Sequence, residues 1–294
     1  WKAALLPTYY QLTRPVRWWW SHCLARDGRA PLCVLVYHRI ADDRANDWTT
    51  STREFLRQMT WLERHFEMIS LAEVRQRMSQ PNVRPAVAVT FDDGYAINCE
   101  TALPFLVERG IPCTYFVTSR NVIEGVPFPH DVAMGNSLAP NTAAELKKFA
   151  AQGIEIGAHT RTHPDIGAIH DLDVLHEELV TSRRDLQDAL ELPIPYFAFP
   201  FGQPANLNAD AVRITREAGY EAICSAYCPY NFPSDDPFHV QRMCVDGPFA
   251  RMRNWVTVDP LRLLRTRNAV PSYLQLKLPE YACASVTADA AENS

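Results

Sequence analysis

No run of eighteen apolar residues occurs in this 294-residue sequence, so no helix is long and apolar enough to cross a membrane. Nor is there an excess of basic residues. The formal net charge of −5 argues against a nucleic-acid surface and takes nucleic acid off the expected partners. Internal repeats and low-complexity tracts are lacking as well. Eight cysteines are present without zinc-finger spacing: Cys224 and Cys228 alone lie close, with no further ligands beside them. Several of the others sit inside apolar runs. That predicts buried free thiols rather than a disulfide framework, and a reducing, cytoplasmic compartment. The chain starts at Trp1 rather than Met, which leaves room for a processed or truncated start. With 47% hydrophobic and 21% charged residues, the composition is that of a globular chain with length for one large core or two modest ones.

The informative stretch is Thr90–Phe91–Asp92–Asp93–Gly94. The apolar, β-branched run Pro85–Val89 before it reads as a buried strand. Two adjacent carboxylates therefore stand at the carboxyl end of a strand, where α/β folds bind ligands. Two negative charges at a buried strand end require a proton or a cation. A cation site is offered by His159–Thr160–Arg161–Thr162–His163–Pro164, which follows the strand-like run Ile154–Ala158. Its two histidines, four apart, are expected on one face of a helical turn. Asp93, His159 and His163 then make three ligands with a fourth position open to water, the pattern of a catalytic metal. This donor set suits Zn²⁺ best, with Co²⁺, Ni²⁺ and Mn²⁺ as alternatives.

TFDDGY followed by HTRTHP resembles the polysaccharide deacetylase family, also called the NodB-homology or carbohydrate esterase family 4 domain. The likeness runs from about Cys33 to about Asp246. It implies an α/β fold, a distorted (β/α)7 barrel, and a metal-dependent enzyme that removes N-acetyl groups from a glycan or polysaccharide. By the same resemblance Asp92 is the general base toward metal-bound water, and Asp93, His159 and His163 are the metal ligands. The Phe201 N–H in Phe199–Pro200–Phe201–Gly202 would stabilise the oxyanion. Gly202 would let substrate approach the backbone closely. Tyr95, Pro200 and Arg242 complete the expected substrate contacts. The aromatics near the mouth, Phe91, Tyr95, Phe199, Phe201 and Trp48, suit stacking on sugar rings but are equally common as core filler.

Around these motifs, strands and helices alternate about six or seven times, which argues for parallel βαβ units. Residues 1–31 read as an irregular N-terminal extension, 32–258 as the barrel domain, and 259–294 as a C-terminal tail with a helical portion over Leu261–Leu264 and a disordered end. In the extension, Trp18, Trp19 and Trp20 beside Arg17 could meet a membrane interface peripherally. The favoured reading has them pack on the domain as a strap, with Pro15 breaking any helix. Residues 121–140 form a long insertion, whose His130 and Asp131 read as solvated. Asn141 opens a helix, and 171–190 forms one long amphipathic helix.

Two family features are missing. The Arg expected two residues before Pro200, where it would pair with the base, is Ala198. Arg242 is a candidate replacement. The late Leu-x-His motif that supplies the general acid is also absent. His38, ending the first strand, is the preferred substitute, with His239 behind it. The alternatives are an amidohydrolase on a small amide, an O-acetyl esterase, and a non-catalytic glycan-binding barrel. The oligomeric state is not legible.

Overall fold

Ala86–Val87–Ala88–Val89–Thr90–Phe91 is buried along its whole length, because neighbouring strands flank it and layers cover both its faces. It is one strand of a parallel sheet in a computed structural model that describes residues 2–259 and 261–263. The strands are β1 (Leu32–Tyr37), β2 (Arg39–Ile40), β3 (Thr49–Thr50), β4 (Glu67–Met68), β5 (Ala86–Phe91), β6 (Cys113–Val117), β7 (Ile154–Ala158), β8 (Tyr196–Ala198), β9 (Ala222–Cys224), β10 (His239–Val240) and β11 (Met243–Cys244). The main sheet runs β10-β9-β8-β7-β6-β5-β1-β11, with β4 also paired to β5.

The curl of this sheet follows from its ends. β10 pairs with β9 at one edge, and β11 pairs with β1 at the other. Only Gln241 and Arg242 separate β10 from β11, so one short segment joins both edges and makes the seam of a distorted barrel. Counting that segment as one stave with β1, β5, β6, β7, β8 and β9 gives seven, the architecture the resemblance implies. Because the ladders joining these strands through β6 are all parallel, the carboxyl ends of β1, β5, β7 and β8 open at one mouth.

Helices cover the outside for local reasons. Ser51 caps Thr52–His65 by accepting from Glu54 N, and Phe55, Met59 and Leu62 face the core at helical spacing. Ala102–Arg109 ends at Gly110, whose φ of 63° is the left-handed stop that glycine takes without strain. Thr142, not Asn141, caps Ala143–Ala150, and Glu145 closes the capping box. The expected long helix over 171–190 is continuous but contains a π-helical turn at Glu177–Thr181, between Leu172–His176 and Ser182–Leu190.

Two expectations are corrected. The N-terminal extension is not irregular: Lys2–Arg26 is one helix that runs through Pro7 and Pro15. Pro15 costs the helix one backbone hydrogen bond. Tertiary docking outweighs that loss. The buried Arg17 donates to Asn254 O at 2.9 Å, Asn254 Oδ1 at 2.6 Å and Thr257 O at 3.0 Å. Tyr9 Oη donates to Asp259 Oδ1 at 2.8 Å. Trp20 packs against the core as the strap reading expects, whereas Trp18 and Trp19 are 69% and 55% exposed. The insertion at 121–140 is likewise structured, with helices at Ser119–Glu124 and Pro129–Ala133. Its Asp131 is fully buried. The expectations for the tail beyond residue 263 lie outside the described residues.

Candidate active site at the strand mouth

Asp92 and Asp93 leave β5 together because the chain changes hand there. Asp93 has a φ of 73° and Gly94 one of 102°, so the strand alternation that would separate their side chains no longer applies. Both carboxylates line a cavity of about 420 Å³ at the mouth. His38 from the end of β1, His159 from the end of β7 and His163 line it too, with Trp48, His130, Phe199, Phe201 and Cys244.

His159 and His163 meet without a helical turn, contrary to expectation. The segment after β7 is a loop in which Thr160 and His163 both take a φ of 63°. Thr160 Oγ1 accepts from His163 N at 2.9 Å. Glu178, held by the π-helical turn, accepts from Arg161 N at 2.8 Å, Thr162 N at 2.9 Å and Thr162 Oγ1 at 2.6 Å. Glu178 is buried, and nothing in the local sequence marks it out.

The loop brings His159 Nε2 within 3.5 Å, and His163 Nε2 within 3.2 Å, of the same Asp93 oxygen, Oδ1. That oxygen is buried and makes no hydrogen bond of acceptable geometry. His159 Nδ1 lies 2.8 Å from Ala198 O, so its proton sits on Nδ1 and the lone pair of Nε2 faces Asp93. Burial pushes the Asp93 carboxyl up; imidazolium rings at His159 and His163 more than reverse this and hold it well below the usual range, and as neutral rings they leave that role to a cation. Three electron-pair donors facing one another need a cation between them, and these three fit one. Carboxylate plus two imidazoles matches zinc-like ions and not the all-oxygen preference of Ca²⁺ or Mg²⁺.

Asp92 is held from behind. Arg242 Nη1 and Nη2 donate to its two oxygens at 2.7 and 2.8 Å. Arg242 also donates to Thr90 Oγ1 at 3.1 Å and Ser225 O at 3.2 Å, and it is fully buried. Burial pushes the Asp92 carboxyl up. The Arg242 guanidinium, with the nearby His159 and His38, outweighs it and leaves the group below its ordinary value. Arg242 therefore lies behind the carboxylate rather than in the cavity, which corrects its reading as a substrate contact.

His38 Nδ1 donates to Asp246 Oδ2 at 2.6 Å. Burial lowers the imidazole's proton affinity. Asp246, with smaller help from Asp93 and Asp92, reverses that and pushes it up to about 9. His239 is elsewhere, bonded to Ser225 Oγ at 2.8 Å and pushed down to about 4 by burial. It does not line the cavity, which removes it as the second candidate acid.

Tyr95 is also corrected as a direct contact, being fully buried. Its hydroxyl donates to Asp131 Oδ2 at 2.8 Å, accepts from Trp48 Nε1 at 2.9 Å and lies 3.1 Å from His130 Nε2. It fixes the two rings that do line the wall. His130 and Asp131 are thus part of the site, not solvated loop. Phe91 is core, in a ring cluster with Tyr37, Phe55 and Tyr115. Phe201 sits on the rim, 60% exposed, with a φ of 61°. Pro200 is not among the lining residues. Gly202 serves internal packing: a Cβ there would lie 2.7 Å from Ala226 N.

A family model described as polysaccharide deacetylase matches residues 79–223. The chitooligosaccharide deacetylase of Bradyrhizobium sp. (strain ANU 289) is 27% identical over 159 residues, 53% of this chain and 63% of that protein. The chain spans about three fifths of the length of the curated relatives it matches. Among solved structures, IcaB from Ammonifex degensii aligns with a TM-score of 0.66 at 24% identity, covering 78% of this chain and 97% of that one. The Streptococcus pyogenes deacetylase PplD in complex with acetate aligns with a TM-score of 0.61 at 19% identity, covering 83% and 100%. These two likenesses show the fold. The matched segment, which contains both motifs, assigns residues 79–223 of this chain to the polysaccharide deacetylase family.

Proposed function

We propose that this protein is a metal-dependent deacetylase that releases acetate from the N-acetyl groups of a glycan. The observation that carries the reading is the convergence of His159 Nε2 and His163 Nε2 on the buried, unpartnered Asp93 Oδ1, beside the clamped Asp92. The likeness to a chitooligosaccharide deacetylase supports an oligosaccharide substrate.

Asp93, His159 and His163 would hold a divalent cation, Zn²⁺ before Co²⁺, Ni²⁺ or Mn²⁺, which when bound polarises the acyl oxygen and acidifies water. Asp92 takes the proton of the attacking water. It is ionised through Arg242, and each of its oxygens keeps a second lone pair free for that proton. The Phe201 N–H on the rim donates to the developing oxyanion. His38, kept an imidazolium by Asp246, delivers the proton that the leaving nitrogen needs. Amide cleavage expels an amine only after that protonation, so the His38–Asp246 pair favours N-acetyl over O-acetyl substrates. Trp48, His130, Phe199 and Phe201 offer ring faces to the sugar. Tyr95 and Gly202 shape these walls from behind.

The test is acetate release from N-acetylglucosamine oligomers by the purified chain. It is run with added Zn²⁺ or Co²⁺, with chelator, and with Asp92→Asn. Metal-dependent release lost in the variant supports the reading. A bound metal with no acetate moves the assignment to an O-acetyl ester or a small amide, each tested directly, and failure of all three leaves a glycan-binding barrel.

We also propose a peripheral contact with anionic membranes. The helix Lys2–Arg26 turns Leu5, Leu12, Val16, Trp18 and Trp19 to the outside and contains no Asp or Glu. Exposed indoles on an acid-free helix suit the headgroup layer of an anionic bilayer. Co-sedimentation with vesicles rich in phosphatidylglycerol, lost in Trp18→Ser/Trp19→Ser, is the expected result. Equal sedimentation of the two proteins rejects it.

A further inference from the structure

The cavity holds a second group of ligand atoms. His38, Cys244 and Asp246 each offer one ligand atom, and the three atoms all lie within 4.8 Å of one another. Asp246 Oδ2 is 2.6 Å from the imidazole nitrogen and 3.2 Å from the sulfur. Nitrogen, sulfur and oxygen donors in this number are what a tetrahedral zinc-type ion takes, and sulfur selects against hard cations. The geometry is built into the barrel. Cys244 stands opposite Val36 in the β1–β11 ladder, two residues before His38. Asp246 is fixed through its other oxygen, which accepts from Thr50 Oγ1 at 3.2 Å. His38 and Cys244 face the cavity, so solvent or a small ligand can complete the coordination.

We infer that His38, Cys244 and Asp246 form a second binding site for a thiophilic divalent cation, and that filling it inhibits the enzyme. The site is separate from Asp93, His159 and His163, which offer no sulfur. Binding replaces the proton between His38 and Asp246 and the thiol proton of Cys244, so both protons leave as the cation enters. With the cation on Nδ1, His38 is no longer an imidazolium and cannot supply a proton to a leaving group. The inhibition rests on the role proposed above for His38, whereas the binding does not.

Cobalt separates the two sites by colour. Thiolate ligation of Co²⁺ produces an intense near-ultraviolet charge-transfer band, which carboxylate and imidazole ligands do not. Titration of the full chain with Co²⁺ under reducing conditions is expected to raise this band, with two ions bound per chain by equilibrium dialysis. Cys244→Ser should lose the band and one of the two ions. His38→Gln, which keeps every thiol, should weaken it severalfold. No band in excess Co²⁺, or a band of full height in Cys244→Ser, overturns the site. For the inhibition, acetate release is compared at excess and at stoichiometric Zn²⁺. The ratio should fall severalfold in the wild type and stay near unity in Cys244→Ser. Equal ratios in the two proteins overturn the inhibitory half. The spectra decide the binding even if the chain releases no acetate from any substrate.

Discussion

The guanidinium of Arg242 grips both oxygens of Asp92, at 2.7 and 2.8 Å, from 150 residues along the chain. It fills the role left open by Ala198, from the barrel seam instead of from β8. Neither side chain is more than 5% exposed. Removing the cation leaves a buried carboxylate uncompensated. Arg242→Met should therefore cost about 3–5 kcal/mol of stability, read from the denaturant midpoint.

The same pair sets a pH dependence. Burial raises the Asp92 carboxyl, but Arg242 brings it below its ordinary value. The pair thus stabilises the fold above the unfolded carboxyl value of about 3.9, and this is lost as pH falls through the lower folded value. In Arg242→Met only the nearby His159 and His38 still oppose burial, so the acid limb of both stability and turnover should move to higher pH. An unmoved limb would mean that Asp92 does not depend on Arg242.

These relationships show what a sequence can and cannot reveal. Asp92, Asp93, His159 and His163 were legible because each pair lies within a few residues at the end of an apolar strand. Arg242 and Asp246 carry no such local mark. They reach the mouth only because β10 and β11 close the barrel on both sheet edges. The spacing of His159 and His163 fits a helical turn and a loop equally well. The left-handed Thr160 and His163 decide between them, and neither residue type favours that conformation. Asp131 reads as a solvated loop acid because Tyr95, which buries and bonds it, comes from 36 residues away. The N-terminal helix was hidden by Pro15, whose local cost is outweighed by Arg17.

Asp93 and Asp92 should separate cleanly in mutants. Asp93→Ala or His159→Ala is expected to lose bound metal and activity together. Asp92→Asn should keep its metal and lose about 10²–10⁴-fold in turnover, the usual contribution of a positioned base. Metal content by elemental analysis beside acetate release checks both. Full turnover in Asp92→Asn would remove that residue from the role.

The His38–Asp246 pair predicts the alkaline limb. Burial opposes the imidazolium, and Asp246 reverses this to push the group up to about 9. A raised value means that the pair stabilises the fold below the unfolded value of about 6.5 and stops doing so as pH passes about 9. Asp246→Asn should pull the alkaline limb of acetate release toward neutrality and shorten the plateau of thermal stability at its alkaline end. A profile identical to the wild type's would exclude His38 as the acid.

Glu178 is the residue on which the shape of the loop carrying His159 and His163 depends. Its carboxylate accepts two backbone N–H groups, of Arg161 and Thr162, and the Thr162 hydroxyl, between the two histidines. The π-helical turn around Glu178 interrupts an otherwise α-helical run at the point that reaches this loop. Glu178→Ala strips both N–H groups of their acceptor, at a cost of about 1–3 kcal/mol. It also frees His163 to move relative to His159, so cation affinity should fall about 10–100-fold, as when a metal site loses a residue that orients its ligands. Glu178→Gln keeps the side chain's shape and one acceptor oxygen, so it should lie between Glu178→Ala and the wild type. Competition with a chromophoric chelator reads the affinity, and a thermal melt reads the fold. If Glu178→Ala melts early but binds the cation as tightly as the wild type, the residue supports the barrel alone and the loop holds its histidines without it.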